Sequence, residues 1–166
     1  SAPNVETIGD DFLRKNIALK SIDLPKIKKI GNFFLANNTN ISNIDIKTVE
    51  EIGDGFLCNN YAITKLDLPN VDTIGNYFLM LNKDINTINL PKLRIIGSSF
   101  LIQNQQLNEV NLPNVNVIGN NFLAENKKAT SVFMPNIRRI GKQFMDKNKK
   151  IKKMYALSVA SEKLTF

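Results

Sequence analysis

The chain has 166 residues, of which 43% are hydrophobic, and its formal net charge is +7 at pH 7. This is enough apolar material for one continuous core. A single cysteine excludes an intramolecular disulfide and a thiolate zinc site, and the absence of histidine removes the commonest general base at neutral pH.

One motif repeats along nearly the whole chain. An Ile-Gly pair recurs every 22 residues without a slip, at residues 8, 30, 52, 74, 96, 118 and 140. A phenylalanine keeps the same step at Phe12, Phe34, Phe56, Phe78, Phe100, Phe122 and Phe144. A fixed period of this length predicts a solenoid, in which each repeat buries its apolar face only against its neighbours.

The repeat that runs from residue 19 to residue 40 indicates how one coil is built. Ile22 and Leu24 alternate with polar residues, which predicts a short strand with both apolar side chains on one side. Ser21 and Asp23 then face the other side. The proline that follows ends the strand, because proline brings no donor to the ladder.

An extended return segment with Ile27 and Ile30 facing inward follows this strand. Gly31 indicates a backbone that needs positive φ or a close approach to the adjacent coil. The next residue is a good helix N-cap in six of the seven repeats, namely Asp10, Asn32, Asp54, Asn76, Ser98 and Asn120. We therefore expect a turn or two of helix, with Phe34 and Leu35 packed inward.

The repeat pattern L-x-x-I-x-L-P-x-I-x-x-I-G-x-x-F-L-x-x-N-x-x resembles the BspA-like class of bacterial and protist leucine-rich repeats. The resemblance covers residues 3 to about 156, although the unit is one residue shorter than is usual in that class. It implies an α/β fold, a right-handed curved solenoid of seven repeats with a concave parallel β-sheet and short helical turns on the convex side. We expect a leucine-rich repeat domain over 1–156, with an incomplete first repeat, and a C-terminal cap segment over 157–166.

An asparagine in each repeat stands where the class often has cysteine. These residues are Asn16, Asn38, Asn60, Asn82, Asn104, Asn126 and Asn148. We expect them to form a structural ladder that satisfies loop backbone groups otherwise buried without partners. Because the chain enters in mid-repeat, we also expect residues upstream or a leader that was removed.

No pattern of residues indicates catalysis. Cys58, the only thiol, falls in a column that is apolar in the middle repeats, which favours a packing role. Gly53 and Gly55 make a G-x-G, but it opens no phosphate-binding unit. We expect a protein that is not an enzyme, with no catalytic residue, cofactor or small-molecule substrate.

The outward column of the predicted strands is the strongest functional signal. It changes from acidic through amide to aromatic, and consists of Asp23, Asp45, Asp67, Asn89, Asn111, Phe133 and Tyr155. Charged residues of the neighbouring column, Lys65, Glu109 and Lys153, complete a candidate protein-binding concave face. Two alternatives stay open: the aromatic residues cap the core, and the three stacked aspartates hold calcium or form a solvated row. We assign no metal site.

A basic cluster is the second candidate site, because residues 127–166 carry 11 Lys/Arg against 2 Asp/Glu. Its members are Lys127, Lys128, Lys147, Lys149, Lys150 and Lys152. Since Lys127-Lys128 and Lys149-Lys150 lie one period apart, they should stack on one edge of the last coils. Such a patch would attract an anionic partner, or else serve as a solvated end. Nucleic acid is disfavoured, because no groove-reading motif is present.

These features predict a non-enzymatic module that binds another protein on its concave face. The family resemblance implies a secreted or bacterial cell-surface protein concerned with adhesion or host contact. The alternatives are docking to an anionic ligand or membrane surface through the basic edge, and delivery into a host cell as an effector that binds a protein there.

Overall fold

The computed structural model describes residues 2–156, so the predicted cap segment at 157–166 lies outside the described residues. The described chain contains fourteen short parallel β-strands and no helix. Paired residues of neighbouring strands are 22 positions apart throughout, as in the pair Ile8 and Ile30. The predicted solenoid of stacked 22-residue coils is therefore confirmed.

Seven strands have three residues each and correspond to the strands predicted before the proline. They are β2 (Ser21–Asp23), β4 (Asn43–Asp45), β6 (Lys65–Asp67), β8 (Thr87–Asn89), β10 (Glu109–Asn111), β12 (Ser131–Phe133) and β14 (Lys153–Tyr155). They pair as β2–β4, β6–β8 and β10–β12–β14, so this side of the solenoid carries three short sheets.

The other seven strands have two residues each and end at the Ile of the Ile-Gly pair. They are β1 (Thr7–Ile8), β3 (Lys29–Ile30), β5 (Glu51–Ile52), β7 (Thr73–Ile74), β9 (Ile95–Ile96), β11 (Val117–Ile118) and β13 (Arg139–Ile140). They form one seven-stranded parallel sheet, which we call the continuous sheet. The segment predicted as an extended return thus forms the largest sheet of the described residues.

The glycine after each of these strands except the first serves close approach to the preceding coil. A Cβ placed on Gly31 would lie 2.6 Å from the carbonyl carbon of Gly9 in the preceding coil. The backbone N–H of Gly31 donates to the carbonyl oxygen of Ile8 at 2.9 Å, which holds the two coils at this distance. Of the two explanations offered for the glycine, close approach is the one that applies.

The core lies between the two sets of strands and is closed by the phenylalanine column. Among residues 2–156 five phenylalanines are fully buried, namely Phe34, Phe56, Phe78, Phe100 and Phe122. Neighbouring rings are nearly parallel, with centroids 5.2 Å apart for Phe56 and Phe78 and 6.0 Å apart for Phe12 and Phe34. Burial of these rings, of Leu24 and Ile27 between the strands, and of the strand residue Ile30 is the main source of stability.

The predicted helical turns are wrong. In the segment after the glycine every second residue has a positive φ, as at Phe33 (56°), Leu35 (53°) and Asn37 (61°) of the second coil. An α-helix needs φ near about −63° at each residue. The backbone groups pair between coils instead, since Leu35 N–H donates to Phe12 O at 3.1 Å and Asn37 N–H donates to Cys58 O at 2.9 Å.

Coil spacing explains why no helix forms here. The stacked rings show that successive coils are only 5.2 to 6.0 Å apart in this segment. An α-helix with its side chains is about 10–12 Å wide, so helices could not stack at this spacing. A segment with alternating φ keeps the chain nearly as thin as a strand.

The residues predicted as helix N-caps are a ladder between coils. Each accepts a hydrogen bond from the backbone N–H of the equivalent residue one coil later, as in Asn32 N–H to Asp10 Oδ1 (2.7 Å) and Asp54 N–H to Asn32 Oδ1 (2.8 Å). A helix cap would accept from a donor two or three residues along the chain. The ladder uses the same short oxygen-bearing side chains as a helix cap does, but the N–H that donates to each of them lies in the next coil.

Candidate functional site

The outward side chains of the three-residue strands form one surface, which we call the strand face. The central residue of each strand packs inward and the two flanking residues point outward, so the burial pattern follows the predicted alternation. On this face the first column runs from Ser21 to Lys153 and the second from Asp23 to Tyr155. Register between the paired strands keeps each column straight.

The acidic end of the strand face consists of Asp23, Asp45 and Asp67, which form no ion pair within residues 2–156. Asp23 and Asp45 are register partners on β2 and β4, and both are exposed. Asp67 accepts one hydrogen bond, from Asn89 Nδ2 at 2.8 Å. Within residues 2–156, no group of three or more carboxylate, thiol or imidazole side chains is placed to hold a metal ion. The calcium alternative therefore has no support among these residues.

The aromatic end of the strand face is formed by β10, β12 and β14. Asn111, Phe133 and Tyr155 are register partners on these three strands. The rings of Phe133 and Tyr155 have centroids 6.1 Å apart and planes inclined by 51°, and they are 42% and 52% exposed. They contact each other and present a combined apolar surface.

Charged residues of the first column flank both ends. Lys65 is paired in register with Thr87, while Glu109 and Lys153 lie on either side of Ser131. The ion pairs of residues 2–156 all lie elsewhere, and none involves the charged side chains of the strand face. These side chains are Asp23, Asp45, Asp67, Lys65, Glu109 and Lys153.

The members of the basic cluster differ in their contacts. Lys153 belongs to β14 on the strand face, and Lys152 precedes it in the chain. Lys147 Nζ lies 2.9 Å from Glu125 Oε1, and Lys128 Nζ donates to Gln106 Oε1. The side chains of Lys127, Lys149 and Lys150 are exposed.

A groove runs along the edge that carries part of this cluster, and we call it the edge groove. It encloses about 510 Å³ and is lined by Leu81, Lys83, Gln103, Gln105, Glu125, Lys127 and Lys147. Hydrogen bonds from Gln103 and Lys147 lower the pKa of the Glu125 carboxyl. Lys147 is paired with Glu125, and Lys83 Nζ lies 4.7 Å from the centroid of the Tyr61 ring, so Lys127 is the lining cation without an ion pair or ring contact within residues 2–156.

The asparagine column lies inside the coils. Asn38, Asn60, Asn82, Asn104 and Asn126 are fully buried, whereas Asn16 is exposed and Asn148 is half-buried. Asn60 Nδ2 donates to Leu35 O (3.0 Å) and Cys58 O (3.2 Å), and its Oδ1 accepts the backbone N–H of Asn38 at 2.9 Å. Asn60 thus pairs with backbone groups of its own coil and of the preceding one, and Asn126 does the same, whereas the buried Oδ1 atoms of Asn38, Asn82, Asn104 and Asn148 accept no hydrogen bond within residues 2–156.

The lone cysteine and the G-x-G pair of Gly53 and Gly55 both have structural roles. Cys58 is buried, and this burial raises the pKa of its thiol, so the reactive thiolate is disfavoured. Gly55 has φ +66°, and a Cβ there would lie 2.4 Å from a ring carbon of Phe33. The second glycine of the G-x-G thus provides room for the Phe33 ring, over which the Arg14 guanidinium lies at 4.8 Å.

Sequence reasoning missed the outer face of the continuous sheet. It carries ion pairs between neighbouring coils, from Lys28 to Glu50 (2.8 Å) and from Lys29 to Glu51 (3.0 Å), and a further pair between Arg94 and Asp72. The hydrogen bond from Lys28 lowers the pKa of Glu50, and that from Arg94 lowers the pKa of Asp72. The sequence contains a signal for these ion pairs, because residues of opposite charge lie 22 positions apart. These exposed pairs contribute little stability.

Comparisons with known proteins point to one family. The model of the BspA type leucine-rich repeat region matches the chain in six copies, over residues 2–85 and 72–161. Comparison with curated proteins gives no match, and neither does comparison with solved structures. No helix among the described residues has the length and apolarity to cross a membrane.

Proposed function

Because this chain belongs to the BspA-type leucine-rich repeat family, we propose that it is a non-enzymatic module that binds another protein through its strand face. Leucine-rich repeats are repeat scaffolds with a general role in protein interaction. Stacked strands present a long surface of outward side chains that the core does not constrain, which suits such a role.

The observation that carries this proposal is the set of unpaired charges on the strand face. Its six charged side chains make no ion pair within residues 2–156, whereas five ion pairs occur elsewhere on the surface. Charges left without intramolecular partners on one face are available to a partner protein, where they direct encounter and orientation.

The order of chemistry along the face indicates what the partner presents. Asp23, Asp45 and Asp67 call for basic side chains, and Asn89 and Asn111 for hydrogen-bonding groups. Phe133 and Tyr155 call for an apolar pocket or a flat apolar patch, because exposed aromatic pairs are typical anchors of protein interfaces. The partner is therefore basic at one end of its contact surface and apolar at the other.

We place this module on a bacterial surface or among secreted proteins, where the partner is a host or matrix protein and the role is adhesion or host contact. Delivery into a host cell, with an intracellular protein as partner, is the variant of the same proposal. The two differ in partner and compartment but use the same face.

The aromatic pair gives the first test. Replacing Phe133 and Tyr155 with alanine is expected to weaken partner binding by at least about 30-fold, since interface anchors each contribute about 2 kcal/mol or more. The melting temperature should change little, because both side chains are largely exposed. The measurement is capture from extracellular-matrix components and host-cell extract at physiological salt, followed by titration of the captured protein.

Two exposed tyrosines away from the strand face provide a matched control. Replacing Tyr61 and Tyr77, which are 37% and 45% exposed, removes a similar aromatic area and should leave binding unchanged. Equal loss of binding in both double variants would contradict the proposal. A large fall in melting temperature for the Phe133 and Tyr155 variant alone would assign these residues to capping instead.

A second candidate function is docking to an anionic lipid surface through the basic edge. The edge groove favours it, because Lys127 lines an open space of about 510 Å³. Lys149 and Lys150, which follow the lining residue Lys147 in the chain, are also exposed. Cations near a membrane each contribute about 1 kcal/mol of attraction to anionic headgroups. This function needs neither the strand face nor an apolar insertion.

Vesicle binding tests this second candidate. Vesicles with anionic lipid should bind the chain at low salt and release it as salt rises, and replacement of Lys127, Lys128, Lys149 and Lys150 by glutamine should abolish binding. Neutral vesicles should not bind. Binding to anionic vesicles that survives all four substitutions would contradict a role for this edge.

A further inference from the structure

The outer face of the continuous sheet changes its charge along the chain. Between the second and third coils Lys28 pairs with Glu50 and Lys29 with Glu51. In the last three coils the outward residues include Lys92, Arg94, Arg138 and Arg139 but no carboxylate. Asp72 of the preceding coil pairs with Arg94, while Lys92 Nζ donates to Asn70 Oδ1 at 2.8 Å and also attracts the Glu50 carboxylate, which pairs with Lys28.

A groove of about 460 Å³ lies at this basic end, and we call it the sheet groove. It is lined by Asp72, Lys92, Arg94, Asn114, Asn116, Asn136 and Arg138. Asp72 is fully engaged, because it accepts hydrogen bonds from both Nε and Nη2 of Arg94. The guanidinium of Arg138 makes no ion pair or hydrogen bond within residues 2–156, so it is available to a ligand.

The amide side chains of the groove are oriented by the backbone. Asn114 Nδ2 donates to Pro91 O at 2.7 Å and Asn136 Nδ2 donates to Pro113 O at 2.8 Å. These bonds use the donor end of each amide, so the acceptor oxygen is left for solvent or a ligand. The groove therefore combines cations with held acceptors, and a ligand that satisfies both must carry anionic groups and neutral hydrogen-bond donors.

An aliphatic strip borders the groove. Ile95 is 45% exposed and is the register partner of Val117 in the neighbouring strand. Both residues follow directly after groove residues, Arg94 and Asn116. This strip adds a flat apolar surface beside the polar groups.

The spacing of the cations indicates the shape of the ligand. Lys92 and Arg138 belong to coils separated by one intervening coil, so they are about 10 Å apart along the direction of stacking. Asn114 and Asn116 lie on the coil between them. An acidic peptide in extended conformation repeats its side chains on one face at about 7 Å, which is out of step with this arrangement.

We propose that the sheet groove binds an acidic polysaccharide with a carboxylate on every second sugar. Each sugar unit extends such a chain by about one strand spacing, so consecutive carboxylates reach Lys92 and Arg138 while hydroxyl groups donate to the side-chain oxygens of Asn114 and Asn136. The apolar faces of the sugar rings contact Ile95 and Val117. The site is separate from the strand face and does not depend on the function proposed for it.

Size-defined hyaluronan oligosaccharides are the probe, because they carry one carboxylate on every second sugar. Titration at physiological salt compares the wild type with Lys92→Gln plus Arg138→Gln, and with Lys127→Gln plus Lys128→Gln as a control that removes the same charge from another surface. The groove variant is expected to lose at least about tenfold in affinity and the control less than about twofold. The variant Asn114→Ala plus Asn136→Ala should also bind more weakly.

Three results would overturn the proposal. One is the absence of hyaluronan binding by the wild type, and another is an equal loss in both charge variants, which would indicate diffuse attraction. The third is equal or tighter binding of poly-L-glutamate, which would indicate an acidic peptide site. Neutral dextran should not bind, and the Phe133 and Tyr155 double variant should bind hyaluronan like the wild type.

Discussion

Replacing Gly97 with alanine is expected to lower the free energy of unfolding by at least about 3 kcal/mol. A Cβ at this position would lie 2.5 Å from the carbonyl carbon of Gly75, 2.6 Å from its oxygen and 2.7 Å from the backbone nitrogen of Asn76. All three atoms belong to the backbone of the preceding coil, so no side-chain rotation relieves the contact. For a chain of this size the melting temperature should fall by about 6–12 °C.

The preceding coil cannot move away without losing its own hydrogen bonds. Gly97 N–H donates to Ile74 O and Gly75 N–H donates to Ile52 O, each at 2.9 Å, and Asn76 N–H donates to Asp54 Oδ1 at 2.7 Å. Relief of the overlap would therefore break the ladder on one side of the coil or the other.

Gly9 provides the matched control for this substitution. It occupies the equivalent position in the first coil, and a Cβ there would have nothing within 4 Å. Gly9→Ala should change the melting temperature by no more than about 2 °C. If Gly97→Ala melted as high as Gly9→Ala, close approach between coils would not be the reason for the glycine.

The position of Gly97 in the middle of the array adds a second expectation. Each coil contacts only its neighbours, so a disrupted contact between the fourth and fifth coils uncouples the two halves. Denaturant unfolding of Gly97→Ala should therefore be broader than that of the wild type, with a smaller apparent m-value.

Strands and core could be predicted from the sequence because their signals are local and repeated. Alternation at Ile22 and Leu24 indicates which side faces inward, and an exact period carries the same assignment to each coil. The same reasoning gave the composition of the strand face, since the outward position of a strand follows from the inward one. That the face binds a protein stays a prediction.

The helical turns could not be excluded on local grounds. Asp10, Asn32 and Asp54 are good N-caps, and the residues that follow them include helix formers. What decides against a helix is the distance between coils, which is a property of the stack and not of any one repeat. The 22-residue spacing of Asp10 and Asn32 could have indicated the ladder between coils, because an oxygen-bearing side chain that recurs at a fixed period can accept a hydrogen bond from the next coil.

The sheet groove was missed for a related reason. Its cations lie in different repeats, and Lys92 and Arg138 are separated by 46 residues in the chain. Reading one repeat at a time shows only a mixed polar column. The groove becomes visible once the columns are stacked and Glu50, Glu51 and Asp72 are found to have basic partners of their own.

Replacing Phe78 with alanine is expected to cost about 3–5 kcal/mol of unfolding free energy, the range typical of buried phenylalanine. Phe78 is fully buried, and its ring centroid lies 5.2 Å from that of Phe56 and 5.4 Å from that of Phe100. The substitution leaves a cavity between two rings that are held by their own coils, so collapse of the site is limited. Thermal and denaturant unfolding measure the loss.

Two further variants separate burial from ring stacking. Phe78→Leu keeps most of the apolar volume and removes both stacked pairs, each worth about 0.5–1.5 kcal/mol beyond burial. It should therefore restore only part of the stability lost in Phe78→Ala. Phe12→Ala, at a ring that is 40% exposed and stacks on one neighbour only, should cost about 1 kcal/mol. Equal losses for Phe12→Ala and Phe78→Ala would contradict a continuous buried stack, because the middle ring would then contribute no more than the one at the end.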